Sequence, residues 1–294
     1  MKPTLIKASL AATVLLSTFN LQPSTVFAAT TIDAANKYAY GANIGWMNWY
    51  ADGANGAVIG AYVCSGYIYS ANVGWINLGS GSPANGIRYQ NNAANDFGVN
   101  QDGLGNLGGY AYGANIGWIN FENTGAPEVN MITGQLSGYA WSANCGWISL
   151  SNAVAYVQTD TISPGAVAPD GLPIAWLRIN FGTTNVNANA DQTGKCMTIG
   201  QDYLAGTDPN NANSVLRITA EGFAPGGTSA ALTWNSVATR YYYIQKTLSL
   251  GSPVWTDSGL GLITPDGAST ARTFSDANAP MRFYRIQAVR PLTP

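Results

Sequence analysis

The stretch Tyr38-Ala-Tyr-Gly-Ala-Asn-Ile-Gly-Trp46 occurs four times in this chain, with only small changes. The later copies end at Trp75, Trp118 and Trp147, so successive tryptophans lie 29, 43 and 29 residues apart. A shift of 72 residues maps the first two copies onto the last two, which indicates a duplicated pair. Repetition at this period is typical of arrays whose units bury surface only against their neighbours. The sequence therefore predicts a β-repeat array, and equal repeated surfaces favour binding or assembly over a single catalytic centre.

Each copy has the pattern of a β-hairpin. Aromatic residues alternate before a turn at Gly41-Ala-Asn-Ile44, and residues 45–49 form the returning strand. If the turn has an even number of residues, Ala39 faces Trp46, and Gly45 leaves room for an aromatic ring across the strand. An odd, bulged turn would exchange the two faces of the hairpin. In the even register, the predicted core face consists of Tyr38, Tyr40, Met47 and Trp49 and their equivalents in the other copies.

The opposite face combines a tryptophan with a small polar residue in every copy. An exposed indole can stack on a sugar ring, and a neighbouring amide supplies both a hydrogen-bond donor and an acceptor. The alternative is that the tryptophans bury against the next layer of the array, since large aromatic side chains are usually well buried. The candidate ligand-binding residues are Trp46, Asn48, Trp75, Asn77, Trp118, Asn120 and Trp147, with Ser149 at the last polar position.

Composition restricts the chemistry. The chain has no histidine, which excludes Ser-His-Asp and Cys-His catalysis and the usual zinc sites. Two carboxylates suffice for a glycosidase, and the 15 acidic residues leave that reaction open, although no pair lies in a recognisable motif. No catalytic residue is therefore predicted. Only 10% of the residues are charged and no basic cluster occurs, so nucleic acid is not an expected partner.

The first 28 residues have the features of an export signal. Lys2 and Lys7 precede an apolar stretch, and Val26-Phe-Ala28 fits the cleavage rule for small residues, which predicts a cut after Ala28. The apolar stretch is too short to span a bilayer, and no long apolar run follows it. We expect a secreted protein, extracellular or at the cell surface, without a transmembrane segment. Removing the two lysines leaves 11 basic and 15 acidic residues.

The remaining chain divides into three parts. The repeat array covers 29–160, a linker and connector cover 161–213, and a C-terminal β-domain covers 214–294. Two short helices are predicted in the connector, at 174–181 and 199–204. The predicted fold class is all-β, with an antiparallel repeat array (propeller-like or a sandwich stack), a short, partly helical connector and a C-terminal β-sandwich. Its strands are predicted at 215–219, 231–234, 241–246, 254–257, 271–274 and 282–289.

The three cysteines are an odd number for an exported chain. Cys64 and Cys145 stand where other copies have aliphatic residues, so we expect buried thiols that act as small apolar side chains. A Cys64–Cys145 disulfide is the alternative. Cys196 lies in a loop segment and is expected to be unpaired.

The repeat resembles the Gly-Tyr-Ala-Trp-Ser-x-Asn-Ile-Gly-Trp-Ile-x-Phe repeats of large exported bacterial surface proteins. The likeness covers about 120 residues of the array. It implies an extracellular location and no particular activity.

The connector carries a second resemblance, which begins at Asp170-Gly-Leu-Pro and ends at Tyr203-Leu-Ala-Gly-Thr-Asp-Pro209. These segments are similar to a thrombospondin type 3-like calcium module, and residues 214–290 to the fibronectin-like domain that follows it in exported proteins of Verrucomicrobia-like bacteria. The resemblance implies calcium ligands at Asp191 and Asp202. Calcium requires six to eight oxygen ligands. Because Lys195 places a cation inside this loop, Thr193 is a weak ligand and Cys196 replaces the turn glycine, we interpret the loop as decayed and expect neither calcium nor another cofactor.

These features predict a non-enzymatic exported protein with a structural or adhesive role at the cell surface or in the matrix. The alternative is a glycan-binding module that uses the repeated Trp–Asn face. A third hypothesis is a carboxylate-dependent polysaccharide hydrolase. The expected partners are an extracellular glycan or further copies of the same chain.

Overall fold

The computed structural model describes residues 29–224, 228–276 and 282–293. The predicted export signal, with its cleavage after Ala28, lies outside these residues. Within them, strands dominate and the all-β prediction is confirmed. The first 12 strands are β1 (Ile32–Gly41), β2 (Gly45–Asn48), β3 (Ser65–Ser70), β4 (Gly74–Ser80), β5 (Val99–Gln101), β6 (Leu107–Gly113), β7 (Gly117–Asn120), β8 (Glu128–Val129), β9 (Leu136–Ser137), β10 (Tyr139–Ser142), β11 (Gly146–Ser149) and β12 (Val157–Thr159).

The repeat array is a closed antiparallel barrel of eight strands. Each copy of the nonapeptide forms one hairpin: β1–β2, β3–β4, β6–β7 and β10–β11. Consecutive hairpins pair side by side, and β11 then pairs with β1, which closes the ring. The sequence predicts a propeller-like array or a sandwich stack. The array closes instead because β11 of the last hairpin pairs with β1 of the first, which leaves neither end of the sheet with an exposed edge.

The even register predicted for the hairpins is wrong by one residue. Tyr40 pairs with Trp46, and Gly41 pairs with Gly45. The loop between them has three residues, in which the Ile44 amide donates to the Gly41 carbonyl at 3.1 Å and Gly45 has a φ of +74°. The loop is thus a hydrogen-bonded β-turn followed by a glycine in the left-handed conformation. The glycine is thus required by its backbone conformation and does not make room for a facing ring. The first strand of each hairpin therefore turns the opposite side to the core from the one predicted, with Ala39 buried and Tyr38 and Tyr40 exposed. The returning strand keeps its predicted side, with Met47 and Trp49 buried.

The interior of the barrel is formed by the residues between the aromatic positions. Ala39 and Met47 of the first hairpin are buried, as are their equivalents in the other copies. The larger Trp49 and Phe121 contact each other edge to face, with ring centroids 6.2 Å apart, deeper in the same core. The buried set includes Ala39, Met47, Trp49, Ile68, Ile76, Leu78, Ala111, Ile119, Phe121, Ala140, Ile148 and Leu150.

The turn end of the barrel is filled by one aliphatic or thiol side chain from each loop, namely Ile44, Val73, Ile116 and Cys145. The last inward-facing residue of the strand before each loop is smaller where the side chain from the loop is larger. Gly41 precedes Ile44, and a Cβ on Gly41 would lie 2.8 Å from the Ile44 side chain. Ser70 and Ser142 stand at this position where the loop carries the smaller Val73 or Cys145. Paired substitutions of this kind keep the filled volume nearly constant.

The same turns are joined by a ring of hydrogen bonds. The side-chain amide of each loop asparagine donates to a backbone carbonyl in the neighbouring loop, over 3.0 to 3.1 Å. The ring closes because the first loop bonds to the last. Its four bonds are Asn43 to Cys145, Asn72 to Ile44, Asn115 to Val73 and Asn144 to Ile116. The Ala-Asn-Ile-Gly part of the repeat therefore encodes closure of the barrel end.

The cysteines agree with their predicted surroundings. Cys64 and Cys145 are buried and free, and Cys196 is exposed and free. Burial raises the pKa of the Cys64 thiol to about 12. The alternative Cys64–Cys145 disulfide is not formed.

The connector contains both predicted helices, α1 (Ile174–Phe181) and α2 (Ile199–Ala205). Helix α2 begins with a capping box, in which the Thr198 side chain and Gln201 exchange hydrogen bonds, and ends at the left-handed Gly206. Among the residues that the structure describes, neither helix nor any other is long and apolar enough to cross a membrane.

The C-terminal residues form two three-stranded antiparallel sheets with a common hydrophobic core around Trp234 and Tyr242. The first strand begins three residues later than predicted because Asn235 uses its side chain to bond the backbone of residues 215 and 217. The sheets have the orders β13-β14-β17 and β16-β15-β18, with β13 (Ile218–Phe223), β14 (Ser229–Asn235), β15 (Tyr241–Thr247), β16 (Thr256–Asp257), β17 (Ser269–Ser275) and β18 (Phe283–Val289).

Candidate functional site

The outer face of the barrel carries twelve aromatic side chains, three from each hairpin, which we call the aromatic belt. The four repeat tryptophans are 44–49% exposed, so the alternative in which they bury against a further layer is wrong. The tyrosines predicted to form the core lie on this outer face instead, as the shifted register requires. The belt consists of Tyr38, Tyr40, Trp46, Tyr67, Tyr69, Trp75, Tyr110, Tyr112, Trp118, Tyr139, Trp141 and Trp147.

The aromatic rings have nearly the same geometry in every hairpin. In the first, the ring centroids of Tyr40 and Trp46 are 4.8 Å apart at an interplanar angle of 59°, and Tyr38 meets Trp46 edge-on at 6.1 Å. In the fourth, Trp141 and Trp147 are 5.0 Å apart, also at 59°. Such tilted and edge-to-face pairs are favourable arrangements of aromatic rings. Because each tryptophan is held between two ring neighbours, its exposed surface is presented in a fixed orientation.

The predicted polar residues also lie on the outer face, but each is paired with an aromatic residue of the next hairpin. Asn48 is directly opposite Tyr69, and Asn77 is opposite Tyr112. Asn120 is opposite Trp141. The ring closes with Ser149 opposite Tyr40. The belt therefore contains four composite sites, each formed by an aromatic pair from one hairpin and a polar side chain from the preceding one.

The asparagine side chains have a structural role as well. The Asn48 carbonyl oxygen accepts hydrogen bonds from the amides of residues 50 and 51, at 3.0 and 3.2 Å. Asn77 accepts from the Gly79 amide at 2.8 Å, and Asn120 accepts from the Glu122 amide. These local bonds end the returning strand of each hairpin, as asparagine commonly does at turns. They also fix the position of each amide beside the aromatic rings.

The four composite sites are not identical. Phe97, which belongs to the long insertion between the second and third copies, packs edge-on against Trp118 with ring centroids 5.1 Å apart. Trp147 has a cleft on each side: one is lined by Asn120, Glu122 and Trp141, and the other by residues 124–126 and Tyr139. Sequence reasoning missed Phe97 and Glu122. The detectable signal for Glu122 is that its position holds Tyr50, Gly79 and Ser151 in the other copies.

The predicted decayed calcium loop contains an internal cation. The Lys195 ammonium lies 2.8 Å from a carboxylate oxygen of Asp202, and both side chains are buried. It also donates to the backbone carbonyls of Asp208 at 2.6 Å and Ser214 at 2.9 Å. Asp191 accepts the backbone amides of residues 195 and 196. In the described ranges, no group of three or more His, Cys, Asp or Glu side chains is arranged to hold a metal ion.

Comparison with known proteins assigns the belt no role. No family model matches the chain, and the searches of curated proteins and of solved structures found no match. The likeness of the repeat, the connector and the C-terminal sheets to bacterial surface proteins therefore stays an expectation.

Proposed function

We propose that this chain is a non-enzymatic exported protein with a structural or adhesive role at the cell surface or in the extracellular matrix. The observation that carries the proposal is the fourfold repetition of one exposed aromatic arrangement around a closed barrel. Water-facing aromatic groups in contiguous patches are typical of surfaces that bind another molecule. Aromatic residues also dominate the energetic centres of interfaces.

The shape of the barrel determines how such sites act together. Neighbouring hairpins are separated by two strand spacings, or roughly 10 Å along the sheet. Because the sheet closes on itself, sites on opposite hairpins face in opposite directions. One barrel can therefore hold two partner molecules on opposite sides, and repeated weak contacts add to a strong attachment. This arrangement suits cross-linking in a matrix.

An extracellular glycan is the alternative partner, and one observation favours it over self-association. Each aromatic pair lies opposite a hydrogen-bonding side chain of the adjacent hairpin, as with Asn48 beside Tyr69. A flat apolar surface next to an amide matches a sugar ring, which has an apolar C–H face and polar hydroxyl edges.

The experiment replaces the belt tryptophans by alanine, one at a time and all together. Each indole is about half exposed but packs on two neighbouring rings, so we expect each single variant to lose about 1–3 kcal/mol of unfolding free energy and to remain folded. Attachment to polysaccharide-coated surfaces should weaken with each replacement and vanish in the fourfold variant. The matched control is Leu104→Ala, which removes a side chain that is 67% exposed outside the belt.

Sedimentation velocity over a range of protein concentrations separates the two partners. Self-association that depends on the belt tryptophans, without any response to glycans, would support copies of the same chain. Glycan attachment by a protein that stays monomeric would support the glycan. A fourfold variant that attaches and associates like the unmodified protein would show that the belt is not the binding surface.

A further inference from the structure

One of the four composite sites differs chemically from the others, and we call it the Trp141–Trp147 site. It is the site in which both members of the closely packed ring pair are tryptophans, where the other copies have a tyrosine and a tryptophan. It is also the site with a carboxylate, because Glu122 lines the cleft together with both indoles. The corresponding residues beside the other sites are uncharged.

Local structure fixes the backbone of Glu122 beside the aromatic surface. The backbone amide of Glu122 donates to Asn120, which itself lies opposite Trp141, so the residue is anchored directly beside the rings. Gly125 forms the opposite wall. A Cβ on Gly125 would lie 3.1 Å from the indole of Trp147 and 2.0 Å from the Tyr139 carbonyl, so only glycine allows the chain to pass this close to the ring. The cleft is therefore a formed feature of the fold.

The charge of Glu122 is not neutralised within the part of the chain that the structure describes. Its side chain is exposed, and it takes part in none of the ion pairs found there. Those pairs are Lys195–Asp202, Lys246–Asp276, Arg272–Asp266 and Arg282–Asp276. A carboxylate next to two indole faces attracts a cation from both sides, through ion pairing and through the negative faces of the rings.

We propose that the Trp141–Trp147 site binds a sugar ring that carries a free amine, such as a unit of a deacetylated hexosamine polymer. The C–H face of the sugar stacks on the indoles, and its ammonium group pairs with Glu122. The inference rests on the proposed function, because it names the partner class for one site of the same belt. A neutral sugar would use the stacking surface but leave the carboxylate unpaired.

The test compares three β-linked hexamers of equal length: glucosamine, N-acetylglucosamine and glucose. Binding is measured by calorimetry and tryptophan fluorescence at about pH 5.5, above the ordinary pKa of a glutamate and below that of an amine. We expect the glucosamine hexamer to bind about tenfold more tightly than the other two, which is the combined range of an exposed ion pair and a cation–π contact. Added salt should reduce this preference because it screens the ion pair.

Two carboxylate variants locate the effect. Glu122→Gln should reduce the preference for the amino sugar to about threefold or less while retaining the stacking surface. The matched control is Glu128→Gln, which removes an exposed carboxylate that is bonded to Ser137 and does not line the cleft. It should leave the preference unchanged.

The outcomes separate this inference from the proposed function. Equal affinity for the three hexamers, or an unchanged preference in Glu122→Gln, overturns the amino-sugar assignment. If Trp147→Ala abolishes that equal binding, the belt keeps its binding role and only the ligand class is wrong. Absence of binding by every hexamer also overturns the assignment, and the attachment experiments with the tryptophan variants then decide on the proposed function independently.

Discussion

Replacement of Gly117 by alanine tests the register of the hairpins directly. Gly117 has a φ of +70°, in the left-handed region that disfavours residues with a Cβ. A Cβ placed on it would have the Asn144 side chain as its nearest neighbour, at an ordinary contact distance of 3.5 Å. Steric overlap therefore adds no cost. The expected loss of unfolding free energy, about 1–2 kcal/mol, comes from the left-handed backbone conformation alone. For a domain of this size, that corresponds to a fall in Tm of roughly 2–8 °C.

The assay is urea denaturation followed by tryptophan fluorescence, with the slope of each transition compared between variants. Gly108→Ala is the matched control, since Gly108 lies outside the positive-φ set and no atom would come within 4 Å of its Cβ. We expect it to be neutral or to stabilise by up to about 1 kcal/mol. Gly117→Asn should be milder than Gly117→Ala, because asparagine tolerates the left-handed conformation.

The order of these variants decides between two physical reasons. A packing role for the glycine, with an aromatic ring facing it, would make the larger asparagine worse than alanine. A backbone role would make asparagine less destabilising than alanine. Gly117 has no backbone role if Gly117→Ala unfolds at the same urea concentration as the unmodified protein, or if asparagine is the more damaging substitution.

Three further results are expected from the same structure. Lys195→Ala should cost about 3–5 kcal/mol of unfolding free energy, seen in denaturant titrations, because it leaves the buried Asp202 carboxylate without its partner; a stable variant would contradict the buried pair. Cys196→Gly should raise the free energy of unfolding by about 1 kcal/mol, because Cys196 has a left-handed φ of +63°, which glycine adopts without steric cost. A loss of stability in the same titration would contradict this backbone conformation. Stability should fall as pH rises from about 9 towards 12, since burial raises the pKa values of the Cys64 thiol and the Tyr89 phenol to about 12 and only the unfolded chain loses these protons there. A melting temperature that stays constant over this alkaline range would contradict the burial of both groups.

The sequence was sufficient to predict elements whose signals are local. The aromatic alternation and turn residues identify the four hairpins, and helix α1 has the predicted bounds. The register was missed because it depends on the parity of one turn, and a single left-handed glycine changes that parity. The parity error reverses only the first strand of each hairpin: Tyr38 lies on the surface and not in the predicted core, whereas Trp46 is exposed and Met47 is buried as predicted.

Closure of the barrel could not be read from the repeats because it depends on contacts between distant segments. The pairing of Tyr40 with Ser149 joins residues more than a hundred positions apart, and no periodic pattern distinguishes it from an open stack. The Trp–Asn face was a sound candidate in terms of exposure. The sequence does not show that each site combines residues of two hairpins, because Asn48 and Tyr69 come together only when neighbouring hairpins pair. Glu122 carried a weak signal, as the one acid at a position otherwise uncharged among the copies.

The ring of loop asparagines also limits how a chain of this kind can change its length. In an open stack, a unit can be added or lost at either end with little effect on the others. Here the first loop bonds to the last through Asn43 and Cys145, so no end is free. A fifth hairpin would have to enter between existing neighbours and widen the barrel, and the side chains that fill eight strands would leave a void inside ten. The geometry of the closed barrel thus fixes the number of hairpins at four. Differences in length between copies are accommodated in the connecting segments, such as the long one that places Phe97 against Trp118.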